Sequence, residues 1–339
     1  MRTMTIAGGT VSVYGLIMAL AALFSVILCR KTFRLKKISD RVLTWAMVLT
    51  IPLAVLFGRA AYCCMRAGWF GQKGIGWYFQ FGDGGFVLFG AILGAGIAVL
   101  LTARITGEGA GRIADAMAQP ACVMIFLGRL AEIFAGEGYG WAISDWFSVD
   151  AFDAEEYTGL SIFHLEDASF FERLPFAVQD SYGQWCWAVC ILEALIAVLI
   201  LIWLIRGEFR ADGDQALTFL LLYSATQIFT ESMRQDSVLR WGFVKANQIV
   251  GAVVFTSIGI YWARRAKGKL PRAALRWCGV VLAILVIIAM EFAVEKKIVP
   301  IEWLPADGCY LIEILACAGI IACILGMRDA PFKESKTIK

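Results

Sequence analysis

The sequence is poor in charged residues. Asp, Glu, Lys and Arg make up 17% of the 339 residues, whereas soluble proteins usually contain about 25%. Hydrophobic residues make up 60%, and they occur in blocks of about 20, the length that crosses a bilayer core as a helix. Short alternating strands that could build a membrane barrel are not evident. Because backbone groups must be paired within lipid, the predicted fold class is an all-α polytopic membrane helix bundle.

Histidine is almost absent, and the cysteines form no metal-binding pattern. The only histidine, His164, is far from any cysteine, and the sequence has no CxxC motif. The ten cysteines lie in or at the edges of apolar blocks, where they behave as small hydrophobic residues. The sequence therefore predicts neither a disulfide framework nor a metal site, and no cofactor is expected.

The apolar blocks predict about nine membrane-spanning helices. They lie at residues 11–29, 42–63, 84–103, 116–134, 184–205, 215–232, 242–263, 277–294 and 309–326. Basic residues, not a small-residue cleavage site, follow the first block, so it is expected to be retained. The acidic and aromatic loop at 135–183 is long for a simple connection. It is expected to form a small outer cap of short helices; the alternative is a solvated connector on the membrane surface.

Basic residues are distributed unequally between alternate loops. Lys and Arg are concentrated at 30–41, 104–115, 206–214 and 264–276 and in the C-terminal tail. Loops rich in Lys and Arg remain in the cytoplasm. The pattern therefore predicts a multi-pass protein of a bacterial plasma membrane, with its N-terminus outside and its C-terminus cytoplasmic. The membrane is the expected surrounding, and no nucleic-acid partner is expected.

Several ionisable residues lie within the apolar blocks, where a charge is costly unless it faces a partner or a cavity. Arg59, Arg129, Glu132, Glu231 and Arg234 all fall toward the predicted outer ends of their helices. Together they predict a shared polar site that opens to lipid headgroups. The alternative is that each side chain extends separately to the membrane interface.

Two sets of polar residues have helical spacing. The first set is Tyr223, Gln227, Glu231 and Arg234. Intervals of four, four and three residues predict that these side chains share one face of a helix. The second set is Arg129 and Glu132, which are three residues apart and can form an ion pair.

Glycines are concentrated before and within the third apolar block. They are Gly82, Gly84, Gly85, Gly90, Gly94 and Gly96. Because glycine has no side chain, another helix or a lipid can approach the backbone closely at these positions. Ordinary helix packing is the alternative interpretation.

Five stretches, taken in order, resemble the phosphatidylglycerol–prolipoprotein diacylglyceryl transferases, membrane enzymes that begin bacterial lipoprotein maturation. They are Tyr14-Gly15, Gly58-Arg59-Ala60-Ala61-Tyr62, Gly84 to Gly90, Gly128-Arg129 to Tyr139-Gly140, and Tyr223 to Arg234 followed by Gln248. Glu193 stands where the family has a Gln-Leu-Tyr-Glu element. The resemblance implies a seven-helix transferase-like core at 1–263, including the outer cap. Residues 264–339 would add two helices and a cytoplasmic tail.

The resemblance implies a reaction in which the diacylglyceryl group of phosphatidylglycerol moves to the lipobox cysteine of an exported preprotein. Such chemistry needs a cation for the phosphate, donors for the leaving group and a base for the thiol. The implied catalytic residues are Arg129, Glu231, Tyr223 and Tyr14. The implied substrate-binding residues are Arg59, Glu132, Glu137, Gly140, Gln227, Arg234, Gly84 and Gly85.

The sequence departs from the family pattern at four positions. Phe89 replaces the family's histidine, and Gln227 replaces an arginine. Glu132 and Ala135 replace two asparagines. Because Glu132 can neutralise Arg129 one helical turn away, weaker binding of an anionic phospholipid is expected. Three hypotheses stay open: a divergent transferase, a non-catalytic relative that binds lipid or lipoprotein, and a transferase with a changed lipid donor or acceptor.

Overall fold

The computed structural model describes most of the chain as two compact units. The described residues are 3–6, 9–80, 85–141, 177–179, 185–236, 239–241, 244–265, 270–296 and 306–328. The first unit consists of Met1–Leu49, Val99–Phe209 and Met233–Ser237. The second unit consists of Thr50–Ala98, Arg210–Ser232 and Val238–Lys339.

Ten α-helices form most of the regular structure in the described residues. They are α1 (Val13–Leu35), α2 (Asp40–Met65), α3 (Ala67–Lys73), α4 (Leu88–Thr106), α5 (Ala110–Ala135), α6 (Val189–Arg206), α7 (Asp214–Met233), α8 (Ala246–Arg265), α9 (Leu270–Lys296) and α10 (Ala306–Arg328). A 3₁₀ turn at Ile75–Phe79 follows α3. A helix occurs at each of the nine predicted spans, and the short helix α3 was not predicted.

Eight of the described helices are long and apolar enough to cross a membrane, namely all except α3 and α7. The chain is therefore an all-α polytopic membrane protein, as predicted. Helix α7 is less apolar because it carries polar side chains such as Thr218, Ser224, Gln227 and Glu231, and all four are buried. Its polar groups therefore face protein rather than lipid.

Three short antiparallel hairpins lie at the ends of helices, and the sequence did not predict them. The strands are β1 (Thr3–Ile6), β2 (Gly9–Ser12), β3 (Ala177–Gln179), β4 (Trp185–Trp187), β5 (Arg240–Trp241) and β6 (Val244–Lys245). Strand β1 pairs with β2, β3 with β4 and β5 with β6, and Val178 lies opposite Cys186. Strands this short carry too few alternating residues to be recognised by periodicity.

In the first unit, α5 packs against α1 and α6. Cys29 and Phe33 of α1 lie in one buried cluster with Ile113 of α5. The hydroxyl of Thr32 donates to the carbonyl of Ala116 at 2.6 Å, which joins the two helices within their apolar contact. Helix α5, which carries much of the signature stretch, is therefore held on two sides.

In the second unit, the glycines of α4 permit close contact with α2. A Cβ atom on Gly90 would lie 2.5 Å from the carbonyl oxygen of Phe57, and one on Gly94 would overlap the backbone of Leu53. Gly96 has open space around it. At Gly90 and Gly94, the helix-packing interpretation of these glycines is therefore the correct one. In the same unit α9 packs against α10, and α10 contacts α8.

Most of the predicted outer cap at 135–183 lies outside the described residues. Its described parts are the turn that follows α5, up to Trp141, and strand β3. The prediction of short helices there remains a prediction. All ten cysteines are described, and each is a free thiol.

Candidate functional site

A glycine-rich turn follows α5 and forms the base of the candidate site. Gly136 and Gly138 have φ values of 72° and 73°, a conformation that glycine adopts without strain. The amide of Gly138 donates to Asp236 Oδ2 at 2.7 Å, and its carbonyl accepts from the amide of Cys190 at 2.8 Å. A Cβ atom on Gly138 would overlap Cys190 and the carboxylate of Glu132. The turn is therefore fixed by α6 on one side and by the segment after α7 on the other.

Two arginines and three carboxylates meet beside this turn, and we call them the arginine–carboxylate cluster. Its members are Arg129, Glu132, Glu193, Arg234 and Asp236. Arg129 Nη1 lies 2.6 Å from Glu132 Oε1, and Arg129 Nε lies 3.3 Å from Glu193 Oε2. Arg234 Nη1 lies 2.9 Å from the same Glu193 oxygen and 3.5 Å from Glu132 Oε2. One carboxylate oxygen therefore bridges two guanidinium groups.

Three separate segments of the first unit supply the cluster. Arg129 and Glu132 come from the last two turns of α5, and Glu193 comes from the first turns of α6. Arg234 and Asp236 follow the end of α7, where Nε and Nη2 of Arg234 donate to both oxygens of Asp236 at 2.9 and 2.8 Å. This bidentate geometry orients the guanidinium plane.

The cluster is largely buried and formally carries one more negative than positive charge. The side chain of Glu193 is 1% exposed and that of Glu132 is 15% exposed. Burial opposes the charge of Arg234, but Glu132, Glu193 and Asp236 outweigh it and raise the pKa of Arg234 above its ordinary value. Burial likewise acts to raise the pKa of Asp236, but the Arg234 guanidinium outweighs it, and the pKa lies below its ordinary value. Both groups are therefore charged at neutral pH.

Three other predicted site residues belong to the same unit. Tyr14 lies in α1, close enough to Glu132 and Glu137 to be influenced by their charges. Glu137 is exposed in the turn after α5. A Cβ atom on Gly140 would lie 2.9 Å from Val189 Cγ2, so this position is closely packed. Their contact with a substrate remains a prediction.

In the second unit, Arg59 holds a loop. Its guanidinium donates to the carbonyls of Trp77 at 2.8 Å, Gln80 and Gly85 at 3.1 Å, and Tyr78 at 3.3 Å. Only 1% of Arg59 is exposed. These contacts give Arg59 a structural role in the described conformation, and its predicted role in substrate binding remains untested.

Gly85 allows this loop to pack tightly. Its φ is 78°, and a Cβ atom there would lie 2.5 Å from the ring of Tyr62 and 2.9 Å from Arg59 Nη1. Only glycine fits that space without rearrangement. Gly84, which was predicted with Gly85 as a substrate-binding residue, lies outside the described residues.

Tyr223 and Gln227 of α7 are both buried. The ring of Phe89 lies 5.9 Å from the ring of Tyr223, between centroids. Gln227 Nε2 donates to the hydroxyl of Thr230 at 3.2 Å. Phe89, which stands where the family that this sequence resembles has a histidine, therefore makes an aromatic contact with Tyr223.

Glu231, at the end of α7, belongs to a second polar group in which side chains from β6 and α8 meet the helix terminus. Asn247 Nδ2 donates to Glu231 Oε1 at 2.6 Å. Lys245 Nζ donates to the backbone carbonyls of Glu231 and the next residue. Gln248 Nε2 donates to the carbonyl of Ile228 at 3.1 Å. These donors satisfy carbonyls near the end of a helix, including some that have no partner within it.

The predicted ion pair between Arg129 and Glu132 is confirmed. The prediction that Arg234 continues the helical face of Tyr223, Gln227 and Glu231 is wrong. Helix α7 ends at Met233, before Arg234, and the side chain of Arg234 is instead held by Glu193 and Asp236. The regular side-chain directions of a helix apply only while the backbone stays helical, and the contacts of Arg234 show that its side chain follows a different direction.

Several residues that make the decisive contacts are not among the predicted site residues. Asp236 was missed because a carboxylate in a loop gives no signal. Glu193, Lys245 and Asn247 lie in or beside apolar blocks, and the rule that intramembrane charges have partners points to the first two. Within the described ranges, no group of three metal-binding side chains is close enough to hold an ion.

The chain is similar in sequence to a family of known proteins over most of its length. The sequence profile of the family described as "Prolipoprotein diacylglyceryl transferase" matches residues 2–264. The phosphatidylglycerol–prolipoprotein diacylglyceryl transferase of Listeria monocytogenes serotype 4a is 25% identical over 271 residues, covering 78% of this chain and 90% of the relative. The protein of the same name from Geobacillus kaustophilus is 24% identical, covering 76% and 90%. That of Bacillus licheniformis is 23% identical, covering 76% and 89%.

Proposed function

Because this chain belongs to the prolipoprotein diacylglyceryl transferase family, we propose that it transfers a diacylglyceryl group from phosphatidylglycerol to a cysteine thiol. The acceptor is the lipobox cysteine of an exported preprotein. The relatives are named for phosphatidylglycerol and prolipoprotein, which supports both substrates. The proposal also takes the family's residues Arg129 and Arg234 as the phosphate-binding groups.

The observation that carries the proposal is the meeting of two guanidinium groups at one oxygen of Glu193. Two cations held side by side match an anion that can accept several hydrogen bonds, and arginine binds phosphate bidentately. Glu193 is almost fully buried, whereas Glu132 is partly exposed. Glu132 therefore stands where an entering phosphate would bind, and the phosphate must displace it from Arg129.

The reaction forms a carbon–sulfur bond between the thiol and the glyceryl carbon. The bond between that carbon and the phosphate oxygen breaks, and glycerol phosphate leaves with the bonding electrons. Arg129 and Arg234 would stabilise the charge on the departing phosphate. The thiol proton must go to a base. Glu132, once displaced from the arginines, is the first candidate, and Tyr14 and Glu231 are the others.

The remaining features of the proposal concern location. The protein acts in a bacterial plasma membrane with its N-terminus outside and its C-terminus in the cytoplasm. The asymmetry of Lys and Arg between loops supports this orientation. Exported preproteins present their lipobox cysteine on the outer side, where Arg129 and Glu132 are expected from the same topology.

A specific observation favours a second function, in which a non-catalytic relative binds lipid or lipoprotein. Arg129 and Arg234 are both engaged by carboxylates of the chain itself. Phe89, which packs on Tyr223, cannot exchange a proton as the family's histidine could. If Glu132 cannot be displaced, the cluster serves only to hold α5, α6 and the segment after α7 together. The third hypothesis is separate from this one: a transferase with a changed lipid donor of less negative charge, which the carboxylate of Glu132 beside Arg129 supports.

One experiment separates these functions. Purified protein is mixed with phosphatidylglycerol and a lipobox peptide, and mass spectrometry is used to detect the diacylglyceryl thioether. A product that is lost when the peptide cysteine is replaced by serine supports the transferase. No product from folded protein that binds phosphatidylglycerol supports the non-catalytic function or a transferase with a changed substrate.

The contribution of the arginines is tested with Arg129→Lys, which keeps the charge but loses the bidentate geometry. We expect at least a tenfold loss of turnover, about 1.4 kcal/mol. Arg112→Lys is the matched control, because Arg112 pairs with Glu108 at the start of the same helix, also at 2.6 Å. Unchanged turnover in Arg129→Lys would remove the arginine–carboxylate cluster from the proposal.

A further inference from the structure

Two buried glutamates come from the part of the chain that the family profile does not match. Glu291 lies in α9 and Glu313 lies in α10, both beyond residue 264. Glu291 is 3% exposed and Glu313 is 0% exposed. A carboxylate buried to this degree is very costly unless it is paired and hydrogen-bonded. The two C-terminal helices therefore carry carboxyl groups for a reason other than solubility.

Both carboxylate oxygens of Glu291 accept hydrogen bonds, one from the end of α7 and one from α8. Its Oε2 accepts a short hydrogen bond from the hydroxyl of Ser232, and its Oε1 accepts from Gln248 Nε2 at 3.0 Å. Gln248 also donates to the carbonyl of Ile228 and accepts from the amide of Lys245. Helix α9 is thus connected to the residues that hold the terminus of α7.

Glu313 lies beside Glu291 and Ser232, within range of the charge of Lys245. Neither of its oxygens is aligned with a hydrogen-bond donor among the described residues. The neighbouring donors are already used: the single hydroxyl hydrogen of Ser232 goes to Glu291. Both amide hydrogens of Gln248 are also taken.

The number of charged groups around Glu313 also disfavours an ionised Glu313 carboxylate. Three carboxyl groups, of Glu231, Glu291 and Glu313, lie in this part of the second unit. Among the described residues, Lys245 is the cation whose charge acts on Glu291 and Glu313. Lys245 Nζ already donates to two backbone carbonyls. Two carboxyl groups this close in a buried site share a proton rather than both ionise.

We propose that Glu291 and Glu313 bind one proton between them, carried by Glu313, and that this carboxyl–carboxylate pair fastens the two C-terminal helices to the end of α7. Glu313 supplies its own hydrogen to Glu291, which remains the acceptor for Ser232 and Gln248. The pair is thus a proton-binding site. It also holds the helix terminus that carries Glu231. The inference does not depend on the transferase activity.

Infrared spectroscopy of the purified full-length protein tests the proton directly. A protonated carboxyl group absorbs in a C=O stretching region separate from that of a carboxylate. We expect this band in the wild type, its loss in Glu313→Gln and its retention in Glu291→Gln. Glu193→Gln is the matched control, because Glu193 is equally buried but paired with arginines, and its replacement should leave the band unchanged.

A wild-type protein without the band, or a band that persists in Glu313→Gln, would overturn the proposal. Glu313→Asp keeps the acid but changes its geometry, so it serves if the glutamine variant does not fold. In that variant the band must shift, and an unshifted band would assign the proton elsewhere.

Thermal unfolding tests the fastening role. Glutamine resembles a protonated glutamate, so Glu313→Gln should change the midpoint by less than about 2 °C. Glu291→Gln places an amide against the donors of Ser232 and Gln248, and two charge-assisted hydrogen bonds are lost. We expect its midpoint to fall by at least about 5 °C. Equal losses in the two variants would contradict the assignment of the proton to Glu313.

Discussion

The replacement of Glu132 by glutamine separates the roles of this carboxylate. The change removes one charge and keeps the volume. Arg129 Nη1 loses a charged acceptor at 2.6 Å, and Arg234 Nη1 loses a weaker one at 3.5 Å. The remaining cluster has two positive and two negative charges, because Glu193 and Asp236 stay in contact with the arginines. The fold should therefore persist.

In the variant, an entering phosphate no longer has to displace the Glu132 carboxylate from Arg129. The expected gain in lipid affinity is therefore about the free energy of that contact. A hydrogen bond to a charged group contributes about 1.5–3 kcal/mol. The Glu132 side chain is 15% exposed, so solvent screens this contact only partly. Each 1.4 kcal/mol is a factor of about ten in affinity. We therefore expect phosphatidylglycerol to bind about 10- to 100-fold more tightly to Glu132→Gln than to the wild type.

The assay is equilibrium binding of fluorescent phosphatidylglycerol to protein in phosphatidylcholine nanodiscs. Glu108→Gln is the matched control, because Glu108 also contacts an arginine at 2.6 Å, and it should leave the affinity unchanged. If Glu132 is also the base, turnover falls while affinity rises. Equal or weaker binding by folded Glu132→Gln would refute the idea that Glu132 occupies the phosphate position.

Three further predictions concern stability and local order. Gly138→Ala should lower the free energy of unfolding, measured by denaturant titration in mixed micelles, by about 2–4 kcal/mol, because φ is 73° and a Cβ atom has no space. Gly96→Ala, which lies in open space, should leave the free energy of unfolding unchanged in the same titration. Asp236→Asn should cost about 2 kcal/mol at pH 7. Because Arg234 lowers the pKa of Asp236, the stability difference between wild type and variant should be constant from pH 7 to about 5. It should begin to shrink at about pH 4, where Asp titrates in the unfolded chain, and vanish only as the pH falls through the lower pKa of folded Asp236. Arg59→Lys should speed hydrogen exchange in the 3₁₀ turn after α3, since lysine cannot serve four carbonyls; unchanged exchange would argue against its loop-holding role.

The sequence alone determined the class of the fold. Blocks of apolar residues require helices in lipid, and each predicted block coincides with a helix. The contact between Arg129 and Glu132 was also predictable, because both lie on one helix three residues apart. The same reasoning failed for Arg234, since the sequence did not reveal that α7 ends one residue earlier.

Only the tertiary structure decided which groups meet. Glu193 and Asp236 join the arginine–carboxylate cluster from different segments, and Glu291 and Glu313 reach the end of α7 from the last two helices. Local spacing reports contacts within one element, whereas these contacts depend on how separate elements pack. A buried charge indicates that a partner exists, but the partner is identified only by three-dimensional positions, because residues far apart in sequence can complete the same hydrogen bonds.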